Sequence, residues 1–140
     1  PMIGCDCRTC RSTDPRDRRS RPSILIEWSG APEAAPPFRQ AVRHVLVDTS
    51  TDLRAQALAH DLRRVDAILF THSHADHILG LDEVRRFNVL QKSAIPAYAD
   101  ARTAHDLRHT FSYIFTPGAP TGGGIPQVVL SRIGGPFSLG

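Results

Sequence analysis

Four side chains that commonly bind metal ions lie within residues 71–77. They are His72, His74, Asp76 and His77, in the pattern H-x-H-x-D-H. Residues two apart in an extended chain point the same way, so His72 and His74 can converge on one point. Where the chain then turns, Asp76 and His77 can face a second point nearby. Neutral imidazoles and a carboxylate suit zinc, iron or manganese, and two such ions ~3.5–4 Å apart can share a hydroxide and hold an oxyanion substrate.

A second cluster is formed by all three cysteines of the chain, Cys5, Cys7 and Cys10. An odd number of thiols so closely spaced does not make a disulfide framework, and neighbours two or three residues apart are poorly placed to bridge each other. Three thiols that converge from one short loop favour a metal site in a reducing compartment. We therefore expect a cytoplasmic protein.

The basic residues are almost all arginine, since Lys92 is the one lysine among 17 basic residues. Six arginines lie in residues 1–22 beside three aspartates. Guanidinium groups suit phosphate oxygens, so an anionic small molecule or RNA is an admissible partner, although an arginine-rich surface without such a role stays open. Apolar runs never approach the ~18 residues that cross a bilayer, which excludes a transmembrane protein.

These clusters need elements to position them, and the apolar pattern predicts strands alternating with helices. Strands are expected at 23–28, 44–48, 66–71, 95–98 and 127–133. Residues 1–22 are expected to form an irregular loop, 29–37 a Pro/Ala-rich connection and 116–126 another loop. This order predicts a layered α/β domain, with the histidine cluster directly after a buried strand.

Three helices are expected. One begins at Thr51 or Asp52 and runs to about residue 64, with an apolar side formed by Leu53, Ala57, Leu58 and Leu62. The second covers 81–91, with Leu81, Val84 and Leu90 at helical spacing. The third is capped by Asp100 and runs to about residue 109.

The motif H-x-H-x-D-H after a buried strand resembles the metallo-β-lactamase superfamily, whose fold is a four-layer αββα sandwich. The cysteine loop with residues 14–19, and the segments 47–54 and 80–88, resemble its PhnP-like branch of cyclic phosphodiesterases. The similarity covers nearly the whole chain. It implies a single domain over 1–140 that is incomplete and cut at both ends. Its parts are a Cys/Arg-rich metal loop at 1–22 and the first αβ half of the fold at 23–140.

The resemblance also implies roles for individual residues. His72 and His74 would hold the first of two divalent ions, zinc or manganese, and Asp76 and His77 the second. Asp76 would in addition orient the nucleophile and act as the catalytic base. Asp48, at the end of its strand, would fix one imidazole by a hydrogen bond.

The three cysteines match a structural zinc site of the same branch, whose fourth ligand is a histidine from far along the chain. After His77 this chain has only His105 and His109 as histidines, and we interpret both as solvated residues of the last helix. Asp100 is interpreted as a helix cap and Asp106 as a surface charge. Both metal sites therefore lack ligands, and we expect the 140 residues alone to be inactive.

The function implied by the resemblance is a metal-dependent hydrolase. A phosphodiesterase that attacks a cyclic phosphoribose-type or other small phosphodiester through a metal-bound hydroxide is the preferred interpretation. A tRNase Z-like ribonuclease is the alternative within the superfamily. An alternative of another class is a non-enzymatic zinc and nucleic-acid-binding module, in which the arginines of residues 8–21 bind phosphates; it leaves the histidine cluster unexplained. The sequence is compatible with a homodimer.

Overall fold

The computed structural model describes residues 2–29, 42–118 and 124–139. These residues form a sheet of five strands in the order β1-β2-β3-β4-β5. The strands are β1 (Ile24–Ser29), β2 (Val42–Val47), β3 (Ala67–Leu69), β4 (Ile95–Ala99) and β5 (Val128–Arg132). β1 pairs antiparallel to β2, and the other neighbours are parallel. The predicted layered α/β architecture is confirmed, and most of the predicted connection at 29–37 lies outside the described residues.

The first helix is shorter than predicted. α1 spans Leu53–Ala59 and ends five residues before the expected position. Asp61 adopts φ 47°, and the Leu62 N–H donates to the Ala57 carbonyl at 2.8 Å, so the chain turns back at this point. Leu53 is buried, and Ala57 and Leu62 pack against the core. Leu58 is 70% exposed, so its assignment to the apolar side was wrong.

The segment predicted as one helix over 81–91 is divided in two. A 3-10 turn spans Leu81–Val84 and α3 spans Arg85–Gln91. Because a 3-10 turn has three residues per turn rather than 3.6, the buried face shifts where the two meet. Phe87 is therefore buried, and Leu90 is 53% exposed, contrary to the prediction.

The remaining elements are short, apart from α4. α4 spans Ala101–Thr110, and the Asp100 carboxylate accepts from the Thr103 N–H at 2.7 Å, as the predicted cap requires. α2 (Ala75–Ile78), α5 (Ser112–Phe115) and a 3-10 turn at Pro15–Asp17 were not predicted. Within the described ranges no helix is long and apolar enough to cross a membrane.

The core lies between one face of the sheet and the helices. Its fully buried side chains include Leu53 of α1, Ile68 of β3, Leu81, Ile95 of β4 and Leu107 of α4. Val45 and Ala67 are buried on the strands as well. On β2 the neighbouring residues Val45 and Leu46 are both at most 3% exposed, so this part of the strand is buried on both faces.

The carboxyl ends of the parallel strands β2, β3 and β4 meet at one edge of the sheet, where ligands bind in open α/β sheets. β2 ends directly before Asp48, and β3 leads into residues 70–77. Since β1 is antiparallel, its first residue Ile24 lies opposite Val47 at that same edge. The antiparallel pairing therefore brings the end of the Arg-rich segment to the histidine cluster.

Candidate metal centre

Asp48 is the central side chain of this edge. It follows β2, is 4% exposed, and adopts φ 61°. Aspartate is among the few residues other than glycine that tolerate this left-handed conformation. The Asp48 N–H donates to the Leu69 carbonyl at 2.8 Å, which joins the ends of β2 and β3. The backbone thereby turns the carboxylate toward the histidine cluster.

The Asp48 carboxylate determines which nitrogen of His77 carries the proton. Its Oδ1 accepts from the Thr71 N–H at 2.8 Å. Its Oδ2 accepts from the Thr71 hydroxyl and lies 2.7 Å from His77 Nδ1. An ionised carboxylate can only accept hydrogen bonds, so Nδ1 of His77 must be the donor. The Nε2 lone pair of His77 is then available to a metal ion.

Thr71 extends this control to a second imidazole. Its hydroxyl proton is donated to Asp48, so the hydroxyl oxygen is left to accept from Nδ1 of His72, 2.9 Å away. In the neutral ring of His72, the lone pair then lies on Nε2. Sequence reasoning assigned no role to Thr71. A hydroxyl residue between a buried strand and the first histidine is the signal that could have found it.

The four predicted ligands lie close together at this edge of the sheet. The ring centroids of His72 and His74 are 4.6 Å apart, and those of His72 and His77 are 4.0 Å apart. His77 Nε2 lies 3.9 Å from Asp76 Oδ2, close to the span of two metal–ligand bonds of about 2.0–2.2 Å. No three of their ligand atoms lie within 4.8 Å of one another. The number of ions and the assignment of ligands to them stay predictions.

The turn that carries the histidines is packed against the segment after β2. The Thr49 N–H donates to the His77 carbonyl at 2.8 Å, and the Gly80 N–H donates to the Thr49 carbonyl at 2.9 Å. A Cβ on Gly80 would lie 2.0 Å from the Ser50 carbonyl oxygen. The two segments therefore approach so closely that only glycine fits at position 80.

The interpretation of Asp106 was wrong. It was interpreted as a surface charge, but its carboxylate accepts a hydrogen bond of 2.6 Å from the Ser73 hydroxyl inside the histidine motif. α4 therefore supports the loop between His72 and His74. On the same helix His105 and His109 are exposed.

Cys5, Cys7 and Cys10 bring their sulfur atoms within 4.8 Å of one another, and among the described residues no other group of three metal-binding side chains does so. The Cys10 N–H donates to Cys7 Sγ at 3.5 Å, and this bond with those of the neighbouring thiols lowers the pKa of Cys7 to about 7. For Cys10, the Met2 N–H acts to lower the pKa, but the bonds with Cys5 and Cys7 raise it overall. A thiolate binds metal, so this loop has the chemistry of a three-ligand zinc site.

Comparisons with known proteins bear on both clusters. A family model described as Beta-lactamase superfamily domain matches residues 43–140, which include the histidine motif. An octanoyltransferase of Porphyromonas gingivalis is 36% identical over 124 residues, which are 86% of this chain and 23% of that protein. A ribonuclease Z of Bradyrhizobium sp. is 32% identical over 82 residues, which are 57% of this chain and 23% of the relative.

Two solved structures resemble the whole described sheet. A structure presented as a new diphosphatase from the PhnP family has a TM-score of 0.74 and 40% identity, and the match covers 96% of this chain and 45% of that one. Zn²⁺-bound PqqB from Methylobacterium extorquens has a TM-score of 0.57 at 22% identity, with 95% and 41% covered, and supports the fold alone. This chain spans less than half the length of each of these four relatives. By its fold, its motif and these matches, the chain belongs to the metallo-β-lactamase superfamily, and within it the chain is similar to a diphosphatase of the PhnP family.

Proposed function

We propose that the protein is a metal-dependent hydrolase of small phosphodiesters, cyclic phosphoribose-type diesters among them. The observation that carries this proposal is the orientation of the imidazoles. Asp48 Oδ2 accepts from Nδ1 of His77 and the Thr71 hydroxyl oxygen accepts from Nδ1 of His72, so in the neutral rings both Nε2 lone pairs are left for metal ions at the carboxyl-terminal edge of the sheet. Histidines that bind metal ions usually donate their second ring N–H to a carboxylate or another acceptor, which fixes the tautomer and the ring orientation.

Each residue of the cluster has a separate role in this proposal. His72 and His74 would hold one divalent ion, zinc or manganese, and Asp76 and His77 a second. When bound, the two ions supply Lewis acidity that lowers the pKa of water to about 7 and offsets charge on a phosphoryl group. Asp76, whose side chain is 38% exposed, would accept a proton from the attacking water. Asp48 holds the proton on Nδ1 of His77 and keeps that ring oriented.

The cysteine loop would bind a third ion, a structural zinc. Its three free thiols provide three of the four ligands of a closed site. Thiols used in this way persist in a reducing compartment, so we propose a cytoplasmic protein. Since the histidine cluster supplies four ligands and two catalytic ions need more, the 140 residues alone should show little or no hydrolysis.

A ribonuclease of the tRNase Z type is the second candidate. It is favoured by ribonuclease Z relatives with 31–32% identity over 48–57% of this chain. The diphosphatase of the PhnP family is more similar, at 40% identity over 96% of the chain, which favours a small substrate. Processing of a precursor tRNA by the purified protein, with no turnover of small diesters, would reverse this order.

The test uses the full-length protein that contains this chain, loaded with zinc or manganese. It should hydrolyse bis(p-nitrophenyl) phosphate, and His74→Ala should abolish turnover because one of the two ligands of the first ion is lost. His109→Ala is the matched control, since His109 is exposed on α4, and should leave turnover unchanged. Unchanged turnover in His74→Ala would refute the proposed metal centre.

A further inference from the structure

We propose that Arg21 is a substrate-binding residue of this centre, which recognises the anionic phosphoryl group of the diester. The inference rests on the proposed function and adds a specific recognition residue to it. Arg21 NH1 lies 3.8 Å from Asp76 Oδ2, and the arginine side chain is 63% exposed. One guanidinium of the Arg-rich segment is thus placed beside the metal-binding side chains.

The backbone of Arg21 is held in place by α1 and its cap. The Arg21 N–H donates to the Asp52 carboxylate at 2.7 Å. The Gln56 side-chain amide donates to the Arg21 carbonyl at 2.7 Å and to the Ser20 hydroxyl at 2.8 Å. Asp52 is the N-cap residue of α1, but its side chain holds the arginine segment and makes no capping hydrogen bond to the helix.

The same segment is tied to the residues that follow β2, Asp48 and Ser50. The Gln56 side-chain carbonyl accepts from the buried Ser50 hydroxyl at 2.9 Å. On the other side of Arg21, the Ser23 hydroxyl donates to the Asp48 carbonyl at 2.7 Å. Arg21 is thus fixed on both sides to the segment that organises the histidines. A fixed main chain with an exposed guanidinium is the arrangement expected of a ligand-binding arginine.

The charge of Arg21 has a weak protein partner. Its distance of 3.8 Å from Asp76 is at the outer limit of an ion pair, whereas Arg11 and Arg16 make bonds of 2.7 and 2.6 Å to Asp6 and Asp14. Once Asp76 serves as a metal ligand, the guanidinium of Arg21 can donate to an anion held at the same ions. Its planar donors match two phosphoryl oxygens.

A cleft next to Arg21 has room for the rest of the substrate. It measures about 640 Å³ and lies between the cysteine loop and the start of α1. Arg19 and Arg21 contribute positive charge to its wall and Asp52 one carboxylate, which is bonded to the Arg21 N–H, while Met2 and Ile3 contribute apolar surface. Met2 and Ile3 are exposed, at 72% and 107%. A diester with one organic substituent would place its phosphoryl group at Arg21 and that substituent against this wall.

The test compares Arg21→Ala, Arg21→Lys and Arg18→Ala in the metal-loaded full-length protein. Arg18 is an exposed arginine three residues earlier and serves as the matched control. Binding of inorganic phosphate is measured by isothermal titration calorimetry, beside kcat and KM for bis(p-nitrophenyl) phosphate and metal content by mass spectrometry. A hydrogen-bonded charge pair with an anion corresponds to roughly tenfold to hundredfold in affinity.

We expect Arg21→Ala to weaken phosphate binding and to lower kcat/KM by roughly that factor, with metal content and melting temperature unchanged. Arg21→Lys should recover part of the loss, and Arg18→Ala should behave as wild type. Wild-type phosphate affinity in Arg21→Ala would overturn the inference, and so would loss of bound metal, which would make Arg21 a support of Asp76. Absence of diester turnover in the wild type would instead contradict the proposed function. The two failures are distinguishable because the phosphate titration measures the effect of Arg21 on anion binding without turnover.

Discussion

Replacement of Asp48 by asparagine tests how the metal centre is organised. Asparagine keeps the shape of the side chain and tolerates the left-handed backbone at φ 61°. Its amide group presents N–H donors where Oδ2 now accepts from Thr71 and His77. The ring of His77 can then adopt its other neutral tautomer, in which Nδ1 accepts from the amide and Nε2 carries the proton. A protonated Nε2 cannot bind a metal ion.

The expected effects on folding and on metal binding therefore differ in size. Because the introduced amide can still bond to His77, metal-free Asp48→Asn should lose about 1–3 kcal/mol of unfolding free energy, chiefly from the mismatch with the Thr71 hydroxyl. Metal affinity at the histidine cluster should fall by about 10–100-fold, the usual effect of removing a residue that orients a ligand. Asp48→Ala should cost more folding stability, since alanine also disfavours the left-handed backbone by about 1–2 kcal/mol.

The assay is competition with a chelating dye for zinc, together with urea unfolding of the metal-free protein. The tautomer of His77 is read from nitrogen chemical shifts of its ring. Zinc affinity equal to that of the wild type in Asp48→Asn, with Nδ1 of His77 still protonated, would refute the reasoning that this carboxylate sets the tautomer.

Three further predictions concern the supporting structure. Gly80→Ala should lower the free energy of unfolding in urea by about 1–3 kcal/mol or more, because its Cβ would lie 2.0 Å from the Ser50 carbonyl oxygen. The control Gly134→Ala should be neutral, since a Cβ there has no atom within 4 Å. Equal stability of the two variants would contradict the close approach at Gly80. Cys7→Ser should lower zinc content and melting temperature while leaving turnover per remaining site nearly intact, and an unaltered zinc content would refute the structural site. Asp100→Ala should lower the melting temperature and Asp100→Asn should not, since asparagine also caps helices. The Thr103 N–H lowers the pKa of Asp100 below 3.8. The carboxylate cap therefore stabilises α4 fully above pH 3.8, and this stabilisation is lost as the pH falls through the lowered pKa of Asp100. A difference in melting temperature between wild type and Asp100→Ala that grows on acidification would contradict this pH dependence.

Local patterns were sufficient to predict most elements of the fold. The strands around Val45, Ile68 and Ala97 carry consecutive apolar residues, and all three are buried as the pattern requires. Asp100 caps α4 as its position before a helical segment indicates. These features depend on neighbours in sequence, which a single chain displays directly.

The misplaced boundaries have a common cause in tertiary contacts. α1 stops at Ala59 because the chain must turn at Asp61 to begin the approach to β3. The shift of the buried face from Leu90 to Phe87 follows from the 3-10 turn before α3. Neither a turn with positive φ at an aspartate nor a change of helical period has a reliable signal in sequence.

In the candidate site too, local features could be predicted from the sequence and long-range contacts could not. The spacing of the histidines predicted the cluster, but the supporting contacts join residues far apart in sequence. Thr71 is bonded to Asp48, 23 residues away, Ser73 to Asp106, 33 away, and Gln56 to Arg21, 35 away. Such pairs become visible only when the strand order brings them to one edge of the sheet.

Anomalous diffraction from crystals of the zinc-loaded full-length protein, recorded on both sides of the zinc absorption edge, tests the central claim most directly. We predict two peaks at the carboxyl-terminal edge of the sheet, one beside His72 and His74 and one beside Asp76 and His77, with Asp48 bonded to Nδ1 of His77. A third peak is expected among Cys5, Cys7 and Cys10. A cysteine peak alone, with no zinc at the histidine cluster, would contradict the claim that this cluster is a metal centre.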